Sequence, residues 1–301
     1  MRDVQSQADA RGIAIQHVGI RDAHLPFLIK TKDGGFQSVL ARITFTVELP
    51  AAFKGTHMSR FQEILLPWSQ KPLAEPEMDA MLGEALEKLD AQAAEVELAF
   101  KYFVETKAPV SGLASLLDLD CTFTGRKRAK GPMAFTLGVN VPFTSLCPCS
   151  KEISDYGAHN QRSVCRVRVR FAPGHECILI EDLAALVQAQ GSAPIYPLLK
   201  RVDEKYVTEQ AYDHPKFVED ILRDNVLALR QLDGIAWFAV ACENFESIHN
   251  HNAFARHEET VYPSTQAPSP RGLSAKLTGG VATAGRRLSH DCDGEGAHVD
   301  A

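Results

Sequence analysis

The segment Gln37–Leu49 alternates apolar and polar residues almost along its whole length. The apolar residues that share one face are Val39, Ala41, Ile43, Phe45, Val47 and Leu49. Because successive side chains of a strand face opposite sides of a sheet, this pattern predicts a β-strand with one buried face. Asp33-Gly34-Gly35, just before it, favours a hairpin turn from a strand at Leu25–Lys30. The chain is therefore expected to contain an antiparallel sheet.

The same order of predicted elements occurs twice along the chain. After the first hairpin we predict helices Met58–Leu66 and Pro76–Leu89, then strands Ala94–Val104 and Leu116–Thr124. In the second half we predict strands Ala134–Val141 and Ser163–Phe171, helices Glu181–Ala189 and Pro215–Leu232, and strands Ile235–Cys242 and Asn252–Glu258. Two β-β-α-α-β-β units predict an α+β fold with one antiparallel sheet and helices on one face. The free sheet edges need covering, and assembly with other subunits is one solution.

These patterns divide the chain into two modules and two terminal segments. The modules are expected at residues 18–130 and 131–262, after a flexible N-terminus at 1–17. Residues 263–301 contain no aromatic residue and no sustained apolar period, which predicts a disordered tail. His290, Cys292 and His298 in that tail could bind a metal, but chance occurrence in low-complexity sequence explains them better.

Composition places the chain among ordinary globular proteins and argues against several classes. Its 301 residues are 45% hydrophobic and 23% charged, which is enough for one large or two medium domains. A net charge of −6 gives no basic excess that would favour a nucleic-acid or anionic-membrane partner. There is no signal-peptide pattern and no apolar run of transmembrane length. Seven scattered cysteines favour a reduced cytoplasmic protein over a disulfide scaffold.

Two cysteines one residue apart, Cys147 and Cys149, are the strongest chemical signal in the chain. Pro148 and Ser150 mark their segment as a loop, and a disulfide between them would be strained, so one thiol is free for another task. His159 follows, and thiolates and imidazoles suit zinc and its neighbours. A metal-bound thiolate beside a reactive thiol indicates a catalytic centre. The alternative for Cys147 is a small buried apolar residue.

A second cluster, Glu246, His249 and His251, lies close to the end of the second module. On a strand the two histidines would face the same side, and on a helix Glu246 and His249 would be neighbours. Either geometry gathers a carboxylate and an imidazole. A solvated polar turn is the alternative.

Three further segments suggest anion or purine binding. Lys200, Arg201 and Lys205 could hold a polyphosphate, arginine by its planar fork and lysine as a point charge. The segment Lys54–Arg60, at a predicted helix start, also suits an anion, although an ordinary charged surface explains both segments. Glu219 lies near the first turn of a predicted helix, where its negative charge interacts favourably with the helix dipole. Alternatively, its carboxylate could accept two N–H groups from a guanine-like edge. Neither a Walker A nor a Gly-x-Gly-x-x-Gly motif is present.

From about Val18 to Phe254 the chain resembles the prokaryotic type IB GTP cyclohydrolases. The matching motifs are Lys54–Phe61, Ala108–Gly112, Thr144–Ser154, Gly157–Ser163, Lys200-Arg201, Asp203–Glu209 and Glu243–His251. Val202 stands where the family is expected to have proline. The resemblance implies a tunnelling fold with two modules per chain, assembled as a homotetramer with active sites between subunits. It also implies hydrolysis of GTP to 7,8-dihydroneopterin triphosphate and formate with a divalent metal, for which zinc, manganese and iron all qualify.

The same resemblance implies roles for individual residues. The implied metal ligands are Cys147, His159 and Glu204. Glu246 and His249 resemble further ligands or proton carriers, and Cys149 resembles the essential free thiol. Glu219 resembles the carboxylate that anchors the purine. The groups implied for the triphosphate and ribose are Lys200, Arg201, Lys205, Arg60 and His57.

Three rival functions stay open at this point. A deazaguanine nitrile reductase of the same fold would use a cysteine nucleophile without metal, and the combination of Cys147, His159 and Glu204 argues against it. A metal-stabilised purine or pterin binder without turnover would not need the second thiol, Cys149. A structural zinc site would be closed by four protein ligands.

Overall fold

Four long strands, one short strand and two helices make up the first half of the chain in the computed structural model, which describes residue 5 and residues 7–261. In chain order they are β1 (Ile15–Lys30), β2 (Phe36–Leu49), α1 (Met58–Ser69), β3 (Pro72–Leu73), α2 (Glu75–Lys88), β4 (Ala93–Lys107) and β5 (Ala114–Arg128). The second half contains β6 (Ala134–Leu146), α3 (Pro148–Ile153), β7 (Asn160–Phe171), α4 (Ile180–Gln188), β8 (Ala193–Pro194), α5 (Arg201–Asp213), α6 (Val218–Arg230), β9 (Ile235–Asn244) and β10 (Ala253–Thr260).

All of these strands belong to one sheet. The long strands lie in the order β10-β9-β7-β6-β5-β4-β2-β1, with β3 beside β1 and β8 paired with β6. Every pair is antiparallel except β1 with β3. The two halves of the chain therefore lie side by side and join where β5 pairs with β6. This topology confirms the predicted α+β fold.

The helices pack on one face of the sheet, where the apolar side chains of alternate strand positions meet them. All six apolar positions predicted to share a face of β2 are buried. Phe45 on β2 meets Phe61 on α1 edge to face, with ring centroids 5.3 Å apart. The opposite face carries charged side chains such as Arg42 and Arg166 and borders an open groove of about 890 Å³. Burial of one face alone explains why the strands alternate so clearly in sequence.

The first strand is longer than the sequence predicts, because it begins at Ile15 instead of Leu25. Its register with β2 shifts between Ile20 and Ala23, and Asp22 has a φ of 57°. Such irregularities break the two-residue period by which a strand is recognised. The predicted hairpin turn after β1 is present, with Gly34 at a φ of 84°.

The second half contains two helices that the sequence did not predict, α3 and α5. In α5 only Asp203 and Ala211 are buried, so the helix lacks the apolar period that identifies an amphipathic helix. The last helix, α6, begins at Val218 and not at Pro215. The second module therefore has three helices between its inner strands, where two were predicted.

The predicted module boundaries stay predictions. Residue 5 and residues 7–261 belong to one unit around the shared sheet. Near the N-terminus, the N–H of Asp9 donates to the carbonyl oxygen of Ala52 at 3.2 Å. The predicted tail, 263–301, lies outside the described residues together with its histidines and Cys292. Across residues 5 and 7–261, no helix has both the length and the apolar character needed to cross a membrane.

Candidate active site

Cys147 and His159 lie side by side at one end of the sheet. The last residue of β6, Leu146, pairs with the first residue of β7, Asn160. Directly beyond this pair, the N–H of Cys147 donates to the carbonyl oxygen of His159 at 3.1 Å. The antiparallel register therefore brings together two residues that α3 and a short loop separate in sequence.

Short-range hydrogen bonds hold the segment from Cys147 to His159 in place. Cys147 is the N-cap of α3, and its Sγ accepts the N–H of Ser150 at 3.5 Å. The hydroxyl of Ser150 in turn accepts the N–H of His159 at 3.1 Å. Cys149 lies exposed in the first turn of α3, and neither cysteine is in a disulfide. The start of α3, where a loop was predicted, thus presents one partly buried thiol and one exposed thiol at the same end of the sheet.

The imidazole of His159 faces two side-chain oxygen atoms. Its Nδ1 lies 2.9 Å from Oε1 of Gln161 and 3.9 Å from Oε2 of Glu246. The side chains of His159 and Glu246 are only 13% and 12% exposed. Nε2 has no hydrogen-bond partner among the described residues. This second nitrogen is therefore the one available for a metal ion or a substrate atom.

A cluster of buried polar side chains lies behind His159. Nε2 of Gln161 donates to the hydroxyl of Ser145 at 2.8 Å, and that hydroxyl lies 2.8 Å from the hydroxyl of Ser163. Asn244, paired with Ser163 across β7 and β9, is also buried, and its Oδ1 has no hydrogen-bond partner in the described part of the chain. Buried polar groups are costly unless they are satisfied, so their concentration here indicates a functional site.

The loop between β9 and β10 brings Glu246 to this cluster. The N–H of Phe245 donates to the carbonyl oxygen of Arg162 at 3.0 Å, which fastens the loop to the start of β7. The carboxylate of Glu246 is thereby held beside the ring of His159. Glu246 and His159 therefore meet through tertiary structure, far apart in sequence.

His249 and His251 lie in the same loop, which forms neither strand nor helix from 245 to 252. Neither regular geometry considered for these residues is therefore present. Their rings nevertheless stack, with centroids 5.2 Å apart and an interplanar angle of 16°. Both side chains are exposed, and no contact joins His249 to Cys147 or His159 in the described structure.

The buried carboxylate of Asp203 fixes the start of α5. Oδ1 accepts the N–H groups of Val110 at 2.9 Å and Ser111 at 2.7 Å. Oδ2 accepts the hydroxyl of Ser111 at 2.7 Å and the N–H of Lys200 at 2.9 Å. Burial alone would raise the pKa of Asp203, but these hydrogen bonds outweigh it and hold the pKa well below its usual range. The loop between β4 and β5 is therefore joined to α5.

Glu204, the next residue on α5, is exposed and makes no side-chain contact with Cys147 or His159. Within residues 5 and 7–261, no group of three or more His, Cys, Asp and Glu side chains is close enough to hold a metal ion. A single chain thus places Cys147 beside His159 but does not add Glu204 to the pair. The ligand role of Glu204 stays a prediction.

The start of α6 lies next to the end of β6. The N–H of Lys216, two residues before the helix, donates to the carbonyl oxygen of Leu146 at 3.1 Å. Glu219 lies exposed in the first turn of this helix, as the sequence predicted. The predicted purine anchor is therefore at the same end of the sheet as Cys147.

Two of the predicted phosphate-binding groups, Lys200 and Arg201, lie exposed at the start of α5. Lys205, one turn further on, pairs with Glu209 at 2.9 Å. All three are anchored through Asp203 to the loop between β4 and β5.

The other two predicted groups, Arg60 and His57, lie elsewhere. Both are at the start of α1, which follows β2, whereas Cys147 directly follows β6. The strands β2 and β6 run in opposite directions, so they end at opposite ends of the sheet. Nη1 of Arg60 donates to the carbonyl oxygen of Lys88 at 3.0 Å. A single chain therefore does not bring Arg60 and His57 to Cys147.

The site residues predicted from sequence did not include Gln161, Ser145 or Ser163, and no buried role was predicted for Asp203. A signal was available, because Ser145 and Ser163 occupy inward strand positions where alternation calls for apolar residues. Asp203 stands three residues after Lys200, the spacing at which a side chain reaches back to the N-cap.

Comparison with known proteins places these residues in a family context. A family model described as Type I GTP cyclohydrolase folE2 matches residues 1–255. GTP cyclohydrolase FolE2 of Geotalea uraniireducens is 51% identical over 258 residues, covering 86% of this chain and 93% of that protein. GTP cyclohydrolase FolE2 of Geobacter sulfurreducens is 50% identical over 259 residues, covering 86% of this chain and 98% of that protein.

A structural similarity extends to a more distant protein. The uricase of Arthrobacter globiformis has a TM-score of 0.50 and 8% sequence identity, over 85% of this chain and 96% of that chain. At this level of identity the similarity concerns the fold alone. It confirms the tunnelling fold that the family resemblance implied.

Proposed function

The chain belongs to the type I GTP cyclohydrolase FolE2 family, and we propose that this GTP cyclohydrolase forms 7,8-dihydroneopterin triphosphate and formate at the Cys147 end of the sheet. The observation that supports this location is the backbone hydrogen bond between Cys147 and His159, together with the carboxylate of Glu246 beside the imidazole. The narrower label, type IB, belongs to the proposal. So does a cytoplasmic location, where GTP is available.

The Cys147 thiolate and Nε2 of His159 are the groups that would hold a divalent metal ion. Sulfur and imidazole ligands suit zinc and iron, and an added carboxylate such as Glu204 would make manganese acceptable as well. The unpartnered Nε2 of His159 fits this role, because a ligand nitrogen needs a free lone pair. When bound, such an ion lowers the pKa of a water molecule toward neutrality and so supplies the nucleophile.

Proton transfer is the task of the neighbouring side chains. Guanine C8 is weakly electrophilic, and its hydrolysis opens the five-membered ring before a second hydrolysis releases formate. Glu246, held beside His159, can accept and return protons during these steps. His249 would serve as a second proton carrier from the same loop. Cys149 places an exposed thiol at the same end of the sheet.

Substrate recognition would come from α5 and α6. The carboxylate of Glu219 can accept two N–H groups from the guanine edge, and a purine lacking those groups would leave it unpaired. Lys200 and Arg201, exposed at the start of α5, would bind the triphosphate together with Lys205.

A homotetramer with sites between subunits is also part of the proposal. Apolar side chains beside the site are unusually exposed, at 84% for Ile153, 100% for Tyr156 and 64% for Ile248. Exposed apolar side chains next to a polar site favour a covering partner. A second copy of the chain could also supply the Arg60 and His57 that one chain holds away from Cys147.

A product assay tests the proposal. The protein is loaded separately with zinc, manganese and iron(II) and incubated with GTP, and the product is oxidised to a fluorescent pterin while formate is quantified. Both products are expected in equal amounts with at least one metal. Binding of GTP without formate would support the non-catalytic binder instead. Consumption of a hydride donor on a deazaguanine nitrile would support the reductase.

A further inference from the structure

Gln161 connects the imidazole of His159 to the interior of the sheet. It is 7% exposed, and the two serines behind it, Ser145 and Ser163, are fully buried. Its amide makes one hydrogen bond on each side, to Nδ1 of His159 at 2.9 Å and to the hydroxyl of Ser145 at 2.8 Å. No other side chain is within hydrogen-bond distance of this imidazole in the described structure.

These contacts determine which ring nitrogen carries the proton. The Nε2 of Gln161 donates to Ser145, so the atom that faces His159 is the oxygen, which can only accept. Nδ1 of His159 must therefore be the N–H donor. The carboxylate of Glu246, 3.9 Å from the same nitrogen, also only accepts and favours the same tautomer. Two independent neighbours thus assign the proton to Nδ1.

This tautomer is the opposite of the one that a histidine side chain favours in water, where the proton resides mainly on Nε2. With the proton on Nδ1, the lone pair of Nε2 is free, which is the condition for binding a metal ion. Metal-ligating histidines usually donate their other N–H to an oxygen atom that also fixes the ring orientation. Gln161 stands in that relation to His159.

We propose that Gln161 is a positioning residue that holds His159 in the tautomer and orientation required to offer Nε2 to a metal ion. Ser145 acts behind it by orienting the amide. The inference rests on the proposed metal-dependent function and extends it to a residue that touches neither metal nor substrate.

Metal affinity tests this role without reference to activity. Gln161→Leu keeps a similar volume and removes the amide, and we expect it to lower the affinity for zinc by about 10–100-fold, as measured by competition with a chromophoric chelator. Gln188→Leu is the matched control, because it removes a partly buried glutamine whose amide reaches the carbonyl of Pro142 at 3.4 Å, away from His159. The control should bind zinc as the wild type does.

A conservative variant separates positioning from packing. Gln161→Glu keeps an oxygen acceptor for Nδ1 and should retain zinc affinity within a few-fold at mildly alkaline pH. If Gln161→Glu lost zinc affinity as strongly as Gln161→Leu does, an oxygen acceptor for Nδ1 would not be what prepares His159 for the metal, and the proposal would be overturned. Should Gln161→Leu fail to fold, Ser145→Ala replaces it, with a smaller loss of affinity expected and no loss counting against the proposal.

His159→Ala distinguishes this inference from the proposed function itself. If His159→Ala binds zinc as tightly as the wild type, the metal site is not at His159 and the proposed function loses its centre. If His159→Ala loses affinity while Gln161→Leu retains it, the metal site stands and the positioning role of Gln161 is wrong. In the cobalt form, the thiolate charge-transfer band from Cys147 should persist in Gln161→Leu at saturating metal, while the weaker d–d bands change.

Discussion

The carboxylate of Asp203 accepts the backbone N–H of Ser111 at 2.7 Å, and this contact joins the two halves of the chain. Ser111 belongs to the loop between β4 and β5, whereas Asp203 lies in the first turn of α5. The same turn carries Lys200 and Glu204, two of the predicted site residues. The position of these residues relative to the sheet therefore depends on one buried carboxylate.

Asp203→Asn should destabilise the protein in a pH-dependent way. In the variant, one carboxylate oxygen becomes an NH₂ group, which cannot accept the hydrogen bonds that Val110, Ser111 and Lys200 donate in the wild type. The substitution also removes a negative charge. A carboxyl group with a lowered pKa in the folded state contributes stability above its unfolded pKa of about 3.9 and loses it as the pH falls through the folded value. The difference from wild type should therefore be largest near neutral pH and shrink below about pH 4.

Denaturant unfolding at neutral and acidic pH measures this difference. Asp213→Asn, at the exposed end of the same helix, is the matched control and should change stability little at either pH. An effect of Asp203→Asn that is independent of pH would show that the charge of Asp203 is not what stabilises α5.

Cys149→Ala should abolish turnover while leaving metal binding and folding intact. Cys149 is exposed in the first turn of α3, so the substitution removes a thiol without leaving a cavity in the core. If this thiol takes part in proton transfer, kcat should fall by about 10²-fold or more. Metal content by elemental analysis and pterin formation from GTP are the two measurements. Retained activity would refute the role assigned to Cys149.

Glu204→Ala should lower metal occupancy, because a carboxylate from α5 would complete the ligands supplied by Cys147 and His159. Glu209→Ala is the control, since Glu209 lies on the same helix and pairs only with Lys205 in the described structure. Both variants are purified from identical metal-supplemented medium and analysed for metal per chain. Equal metal content in the two variants would remove Glu204 from the ligand set.

Tyr102→Phe should destabilise the fold without touching the site. The hydroxyl of Tyr102 donates to Oε1 of half-buried Glu181 at 2.7 Å, and burial together with Glu181 raises the pKa of Tyr102. Loss of a hydrogen bond to a charged group costs about 1.5–3 kcal/mol of unfolding free energy. Tyr206→Phe, with a side chain that is half exposed and whose hydroxyl has no hydrogen-bond partner in the described structure, should be neutral. Equal unfolding free energies for the two variants would show that this hydrogen bond adds no net stability.

Local periodicity predicted the elements that one face of the sheet buries. β2 was predicted correctly because six alternate side chains are buried in the core, and their spacing shows the two-residue period of a strand. α5 was not recognised, because it buries only Asp203 and Ala211 and is held by hydrogen bonds to a distant loop. The early part of β1 was missed for a related reason, since its bulges interrupt the alternation.

The sequence by itself determined the α+β class, the sheet-forming segments and the chemical types of the candidate site, because these follow from side-chain periodicity and from motifs around Cys147 and His159. Only the tertiary structure decided which of these residues meet. The register of β6 with β7 brings Cys147 to His159, the β9–β10 loop brings Glu246 to the imidazole, and Gln161 sets its tautomer. Such contacts depend on strand pairing and burial between segments far apart in sequence, and no local pattern specifies them.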